Sequence, residues 1–193
     1  MRIFTIGHGT RTADEFLRLL KAHGIKRVLD VRTAPGSQAH PQYGMVALAR
    51  LLERNGIAYE HHPELGGFRK GLGARSPNTA WKNASFRGYA DYMLGDEFWK
   101  ALDNVLAKAQ REPVALMCSE TLWWRCHRRL IADAATARGA DVRHIMRADL
   151  AEAHRLMPPA RIAGDRVVYS ATPPTASSAT PSTDSAGAEP KTS

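Results

Sequence analysis

Cysteines and long apolar runs are scarce in this sequence, and their scarcity argues against two classes of protein. Only two cysteines occur among 193 residues, and their spacing is not that of a disulfide framework. No apolar run approaches the roughly 20 residues that a membrane span needs, and the N-terminal apolar stretch is too short for a signal peptide. We therefore expect a cytoplasmic protein, in a reducing compartment and without a membrane partner.

Acidic residues are outnumbered by basic ones, which bears on the partners of the protein. The formal net charge is +8 at pH 7, and a basic body attracts polyanions over long distances. Because no continuous stripe of lysine and arginine is visible, a basic domain without a nucleic-acid partner fits the charge equally well. An anionic small molecule or a nucleic acid is the partner class that the charge favours, without deciding between the two.

The C-terminal segment differs in composition from the rest of the chain. Residues 171–193 contain no large apolar side chain and consist mostly of Ala, Ser, Thr, Pro and Gly. Such a segment buries too little surface to offset the entropy lost on ordering. We therefore predict a single α/β domain over residues 1–170 and a disordered tail over residues 171–193.

Short apolar runs alternate with segments of helical periodicity along the predicted domain. Strands are predicted at residues 3–6, 27–31, 57–61, 114–117 and 141–145, and a small hairpin at residues 161–169. Helices are predicted between the strands, the first of them opening on a capping box of Thr12 and Glu15. This alternation predicts an α/β fold with a mainly parallel sheet of about five strands and helices on both faces.

Four ionisable side chains of the kinds that bind ligands or take part in catalysis follow predicted strands. His8 comes after the first strand, Arg32 after the second, and Cys118 and Glu120 after the fourth. Open α/β sheets bind ligands at the carboxyl ends of their strands. We therefore expect these side chains to share one crevice.

The segment of residues 118–129 joins a predicted strand to a predicted helix and is the densest in reactive side chains. A helix N-terminus presents free N–H groups and a partial positive charge, which favours a bound anion. We expect Arg125, His127 and Arg128 to bind the substrate there, and Glu120 to act as a general acid or base. A structural ion pair of Glu120 with one of the arginines is the alternative.

The two cysteines of this segment have different predicted roles. Cys118 ends a buried strand just before a helix, as the nucleophile of rhodaneses and cysteine phosphatases does, although burial as a small apolar side chain is the alternative. Cys126 lies on the helical face expected to pack on the sheet. Because Cys118, Cys126 and His127 have no convincing fourth ligand, we predict no metal.

His8 and Arg32 each have a structural interpretation beside the functional one. Glycines on both sides of His8 permit a ligand to approach closely, so we predict that it transfers protons, with a turn histidine bonded to backbone as the alternative. Asp30 lies inside an apolar strand, where an unpaired carboxylate is costly. Arg32 is on the same face and is its expected partner, and we also predict that Arg32 reaches the anionic substrate.

A long glycine-rich stretch over residues 63–88 is the least regular part of the predicted domain. Asn78, Asn83, Arg87 and Tyr89 lie in or just after it, and side chains of these types hold phosphates and stack on bases. We predict that these four contact the substrate. The alternative is a lid that packs on its own aromatic side chains.

Several separate motifs together identify a resemblance. They are Thr5-Ile-Gly7-His8-Gly-Thr10, Leu29-Asp30-Val-Arg32, Pro63-Glu64-Leu-Gly66-Gly67, Ser76-Pro-Asn78-Thr, Asn83-Ala-Ser85-Phe-Arg87-Gly88-Tyr89, and Met117-Cys118-Ser-Glu120 with Trp124-Arg125-Cys126-His127-Arg128. Over about residues 2–169 the chain resembles the bacterial and archaeal family known as domain of unknown function 488. The resemblance implies an α/β domain and supplies no activity.

The leading hypothesis is an enzyme, of open reaction type, whose anion-binding crevice acts on a phosphate-bearing substrate, a nucleotide or a nucleic acid. A non-catalytic module that binds nucleic acid is the first alternative, and it requires salt-dependent affinity. A rhodanese-like sulfur carrier or redox protein that depends on Cys118 is the second. The sequence indicates no particular cofactor.

Overall fold

The computed structural model of the protein describes residues 1–36, 39–156 and 158–171. A six-stranded sheet in the order β3-β2-β4-β1-β5-β6 forms its centre. The strands are β1 (Arg2–Gly7), β2 (Arg27–Asp30), β3 (Ala58–His61), β4 (Val114–Cys118), β5 (Asp141–Arg147) and β6 (Leu150–Ala153), and a separate hairpin consists of β7 (Arg161–Ala163) and β8 (Arg166–Val168). The neighbours among β1 to β5 pair in parallel, and β6 pairs antiparallel to β5.

Five α-helices connect and cover the strands of the described chain. They are α1 (Ala13–Ala22), α2 (Met45–Glu53), α3 (Ala84–Tyr92), α4 (Asp96–Ala109) and α5 (Arg128–Ala137). The predicted capping box at the start of α1 is present, since the Thr12 hydroxyl accepts from the Glu15 N–H and the Glu15 carboxylate accepts from the Thr12 N–H. The predicted α/β class, with a mainly parallel sheet, is confirmed.

Two apolar clusters lie on the two faces of the sheet. Side chains of β2 alternate between them: Val28 packs with α1 and α2, whereas Leu29 packs with α3, α4 and α5. Ala115 and Leu116 of β4 divide in the same way. A parallel strand that is covered on both faces is apolar throughout, which explains why β4 reads as a continuous apolar run in the sequence.

Two elements were not predicted. The strand β6 adds an antiparallel edge to the sheet, and α3 occupies the end of the stretch that was interpreted as irregular. Gly88 lies inside α3 and weakens its helical signal. The prediction of a disordered tail concerns residues that, beyond Ala171, lie outside those described. Among the described residues, no helix has the length and apolar character required to cross a membrane.

At the carboxyl end of β1, the backbone of Gly7 packs directly against the backbone of the turn that follows β4. Gly7 pairs with Cys118 in the sheet register, and a Cβ atom on residue 7 would overlap the backbone carbonyl of Glu120. The absence of a side chain at Gly7 therefore lets the turn that follows β4 lie directly on the end of β1.

Candidate functional site

A crevice of about 430 Å³ opens at the carboxyl ends of β2 and β4. This is the edge of a parallel sheet where ligands are expected. The crevice is lined by the turns after the two strands, by the start of α3 and by two neighbouring loops, through Arg32, Thr33, Ala34, Gly67, Phe68, Asn83, Ser85, Phe86, Cys118, Ser119, Glu120, Arg125, Cys126 and His127.

The turn of residues 118–121 forms one wall of the crevice and is held from behind. The carbonyl of Cys118 accepts from the His8 N–H at 3.0 Å. The carbonyl of Ser119 accepts from the Gly9 N–H at 2.8 Å. The guanidinium of Arg128 donates to the carbonyls of Glu120 and Thr121. Backbone contacts and one buried cation thus fix the position of this wall.

Two thiols and one imidazole meet inside the crevice. The sulfurs of Cys118 and Cys126 and a ring nitrogen of His127 all lie within 4.8 Å of one another. His127 Nε2 is 3.1 Å from the carbonyl oxygen of Val31, which makes Nε2 the protonated nitrogen. The lone pair is then on Nδ1, which lies 3.6 Å from the sulfur of Cys126. Sequence reasoning assigned Cys126 to packing, and it is buried, yet its sulfur belongs to this cluster.

The sulfur of Cys126 also receives a hydrogen bond from nitrogen. The Nε–H of Arg128 donates to this sulfur at 3.4 Å. The hydrogen bond between the two cysteines, together with burial, raises the pKa of Cys118. The same hydrogen bond, with the positive charge of Arg128 nearby, lowers the pKa of Cys126.

Glu120 and Arg125 line the crevice without forming an ion pair. The carboxylate of the half-buried Glu120 accepts one hydrogen bond, from the Leu122 N–H at 3.0 Å, and has no cationic partner among the described residues. The exposed side chain of Arg125 likewise has no hydrogen bond or ion pair within the described chain. The ion pair that was the alternative for Glu120 is thus not formed with either arginine.

Arg32 forms the expected pair with Asp30. Its Nε donates to Oδ1 at 2.8 Å and its Nη2 donates to Oδ2 at 2.5 Å. The Tyr59 hydroxyl donates to the same carboxylate at 2.8 Å. Arg32 is 5% exposed and lines the crevice, so any contact with a ligand has to be made by a guanidinium that is already neutralised.

His8 is placed behind the crevice wall and not among its lining residues. Its ring is 2% exposed and stacks on Tyr43 at a centroid distance of 4.0 Å. His8 Nδ1 lies 2.9 Å from the Gly9 carbonyl, and Nε2 lies 3.5 Å from the guanidinium of Arg32. Burial lowers the pKa of His8 to about 4. The structure therefore gives His8 the environment of the alternative interpretation, a neutral turn histidine.

The four side chains predicted from the glycine-rich stretch are not brought together. Asn78 is fully buried and bonds Asp91. Tyr89 is also buried, with its hydroxyl on the Leu65 carbonyl. Arg87 is half-buried and does not line the crevice. Asn83 does line it, while its side chain caps α3 by accepting from two backbone N–H groups.

Arg128 is the end of a buried polar chain that the sequence did not reveal. The hydroxyl of Thr5 lies 3.4 Å from its Nη1, His144 Nδ1 lies 2.7 Å from that hydroxyl, and His154 Nδ1 lies 3.0 Å from His144 Nε2. His154 Nε2 completes the series on the Asp133 carboxylate at 2.9 Å. All five side chains are at most 9% exposed. We call Arg128, Thr5, His144, His154 and Asp133 the sealed chain.

The sealed chain has one consistent direction of hydrogen bonding. Asp133 accepts from His154 Nε2, so a neutral His154 accepts at Nδ1 from His144 Nε2. His144 then accepts from the Thr5 hydroxyl, which in turn accepts from Arg128. Trp123 stacks on His144 with a 4.0 Å centroid distance and 5° between the planes. Burial lowers the pKa of His144 to about 2, which keeps that imidazole neutral.

Comparison with known proteins identifies a family and no function. The family described as "Domain of unknown function DUF488" matches residues 12–135. No curated protein and no solved structure matches the chain. The matched segment contains every residue that lines the crevice, and it omits Thr5, His144 and His154 of the sealed chain.

Proposed function

The chain belongs to the family described as Domain of unknown function DUF488, and we propose that its crevice is the active site of an enzyme that acts on a phosphate-bearing substrate, a nucleotide or a nucleic acid. A cytoplasmic location is part of the proposal, because both cysteines are free thiols.

One observation carries this proposal: Glu120 and Arg125 carry opposite charges into one concave site and neither is neutralised by a described residue. Glu120 is half-buried, and an unpaired charge in such a position loses hydration without compensation. Charges left unpaired in a concave site at the carboxyl ends of parallel strands are candidates for ligand contact. The net charge of +8 supports an anionic substrate.

The two side chains have different roles in the proposal. Arg125 extends from the rim and binds a phosphate oxygen, as the planar guanidinium does in other proteins. Glu120 faces the same volume on the anchored wall and transfers a proton to or from the reacting group. Arg32 contributes less to phosphate binding, because its Nε and Nη2 already donate to Asp30.

The test separates binding from turnover. The protein is titrated with mononucleotides, dinucleotides and short oligonucleotides while amide chemical shifts are followed, and turnover is measured on the compounds that bind. Arg125→Met is expected to weaken binding about 10-fold or more. Glu120→Gln is expected to retain binding and to lower kcat by about 100-fold or more. The proposal fails if no nucleotide shifts Ser119, Glu120 or Arg125.

A cysteine-dependent sulfur transferase is a second candidate, and the contact of Arg128 with the sulfur of Cys126 favours it. The sequence suggested Cys118 as the nucleophile, but its pKa is raised whereas that of Cys126 is lowered, so the proposed step uses Cys126. The Cys126 thiolate attacks the outer sulfur of thiosulfate. A new S–S bond forms on Cys126, the S–S bond of thiosulfate breaks, and sulfite leaves with the electron pair. Incubation with thiosulfate should then add one sulfur atom to the protein mass and release one sulfite. Cys126→Ser must abolish both changes, and Cys118→Ser must not.

A further inference from the structure

We infer that Cys118, Cys126 and His127 are three ligands of one divalent transition-metal ion, with a fourth position that opens into the crevice. The inference does not require a phosphate-bearing substrate, because metal binding and nucleotide binding are measured separately. It departs from the expectation drawn from the sequence. No metal was predicted there, because the sequence offers no convincing fourth protein ligand.

The distances within the cluster fit a tetrahedral ion. With bonds of about 2.3 Å to sulfur and 2.0–2.1 Å to nitrogen, a tetrahedral site separates the two ligand atoms by about 3.6 Å. The sulfur of Cys126 and Nδ1 of His127 are 3.6 Å apart. The remaining separations do not exceed 4.8 Å, and small rotations of the cysteine side chains bring them to the roughly 3.8 Å that two sulfurs on one ion require.

His127 is oriented as a metal ligand. A histidine that binds a metal usually donates its other ring N–H to a carbonyl or a carboxylate, which fixes the tautomer. His127 Nε2 donates to the Val31 carbonyl at 3.1 Å, which leaves the lone pair of Nδ1 directed at the cluster. A Cβ atom on residue 67 would lie 2.6 Å from this Nδ1. Glycine at position 67 thus keeps the nitrogen uncovered.

The sulfur of Cys126 has an outer contact of the kind that metal-bound thiolates have. Metal-bound groups are generally held by further hydrogen bonds from the surrounding protein. Arg128 Nε donates to the sulfur of Cys126 at 3.4 Å. The cluster therefore has three candidate ligands, and two of them, His127 and Cys126, already have an outer contact with the protein.

The ligand set and the cavity indicate which ion and which kind of site. Two sulfurs and one imidazole select zinc or a similar soft ion over magnesium or calcium. Structural zinc sites are closed by four protein ligands, whereas catalytic ones keep one position for water or substrate. Cys118, Cys126 and His127 all line the crevice, and so does Glu120. The open position therefore faces a candidate proton acceptor, as in hydrolytic metal sites.

Cobalt(II) provides the test, because its visible absorption reports coordination geometry. The reduced, metal-free, full-length protein is titrated with cobalt(II). We expect one ion per chain, intense tetrahedral bands, a sulfur-to-metal charge-transfer band, and displacement by zinc. Cys118→Ser, Cys126→Ser and His127→Asn should each lower the affinity by 100-fold or more, on the order of a lost metal contact. His23→Asn, which removes a histidine outside the cluster, should bind as the wild type does.

Two further measurements keep the inference open to refutation if a ligand variant fails to fold. Gly67→Ala alters no ligand, yet its Cβ would press on the His127 ring, so cobalt affinity should fall. X-ray absorption of the zinc-loaded wild type should give two sulfurs, one imidazole nitrogen and one light atom. The inference is overturned if cobalt gives only octahedral bands, or if the cysteines occur as a disulfide and the reduced protein binds no cobalt. If the wild-type protein binds cobalt(II) but no nucleotide, only the proposal of a phosphate-bearing substrate is refuted.

Discussion

Two polar regions lie on either side of Arg128, and they are organised on opposite principles. In the sealed chain, Thr5, His144, His154 and Asp133 are each bonded to the next and closed off from water. In the crevice, charged and sulfur-bearing side chains border open volume, and two of the charges have no partner in the described chain. A buried polar group that is fully bonded stabilises one conformation, whereas a group left unpaired in a cavity is available to a ligand.

Two arginines that are three residues apart differ in the same way in their exposure and hydrogen bonding. Arg128 is 1% exposed and donates to backbone carbonyls, a hydroxyl and a sulfur. The side chain of Arg125 is exposed and has no hydrogen bond or ion pair in the described chain. From the sequence alone both were predicted to bind the substrate. Because the Nε and both Nη atoms of Arg128 already donate to the protein, we now expect it to position the crevice wall and Cys126.

The largest expected difference between the two regions is in stability, and the same substitution at both arginines measures it. Arg128→Met should lower the free energy of unfolding by about 3 kcal/mol, because two carbonyls, the Thr5 hydroxyl and the Cys126 sulfur lose a buried donor. Arg125→Met should change it by less than about 0.5 kcal/mol. Urea denaturation of the two variants measures both values. Equal losses would mean that Arg125 is also structural.

The second prediction concerns pH and the sealed chain. His144 has a pKa of about 2 when folded and 6.5 as its ordinary value, so the unfolded chain binds the proton more readily between these values. Its contribution to stability is complete above pH 6.5 and is lost as the pH falls through this window. From pH 6.5 to 4.5 we expect a loss of about 2–3 kcal/mol.

The measurement is urea denaturation at a series of pH values. His8, with a pKa lowered to about 4, adds a loss of the same sign over a narrower window. The slope of stability against pH should therefore decrease in His144→Gln, whatever the stability of that variant at pH 7. His23→Asn should keep the slope of the wild type. An unchanged slope in His144→Gln would show that the sealed chain does not exclude a proton.

A smaller effect distinguishes the two regions by a single hydrogen bond. The hydroxyl of Tyr169 donates to the buried carboxylate of Asp133 at 2.9 Å, so Tyr169→Phe should cost about 1–2 kcal/mol. Glu120→Gln removes a charge from the crevice and should leave stability within about 0.5 kcal/mol. Thermal denaturation compares the two. A loss in Glu120→Gln that equals the loss in Tyr169→Phe would remove the contrast between the regions.

The smallest predicted effect lies at Asn83, which belongs to both the fold and the crevice. Asn83→Ala should lower stability by about 1 kcal/mol, since its side chain caps α3. Asn83→Ser should cost only a few tenths, because serine retains the cap. If Asn83 also contacts the substrate, as the sequence predicts, Asn83→Ser should weaken nucleotide binding at nearly unchanged stability. Unaltered binding in Asn83→Ser would restrict this residue to capping.

The fold was largely predictable because each element has a local signal. Apolar runs, the Thr12–Glu15 capping box and the spacing of apolar residues in α4 all act over a few residues. The two missed elements have weak local signals. The strand β6 is short and only partly buried, and α3 contains Gly88, so tertiary packing decides both.

The candidate site was predictable on one side only. Cys118, Glu120, Arg125 and His127 occur within one segment, and the topology rule brought that segment to the sheet edge. The opposite wall, with Gly67, Phe68 and Phe86, comes from loops whose path a single sequence does not specify. The sealed chain was missed for the same reason, because Thr5 and His144 are 139 residues apart and meet only in the folded sheet.

The direct backbone contact at Gly7 has a consequence for how the crevice responds to a ligand. The 118–121 turn lies on the end of β1 and is held there by hydrogen bonds from neighbouring residues, so we expect this wall to keep its position. The opposite wall contains Phe68, whose side chain is 89% exposed and whose N–H donates to the Thr33 hydroxyl at 3.4 Å. We expect the conformational change that accompanies ligand binding to occur in this opposite wall, while the reactive groups stay in place on the sheet.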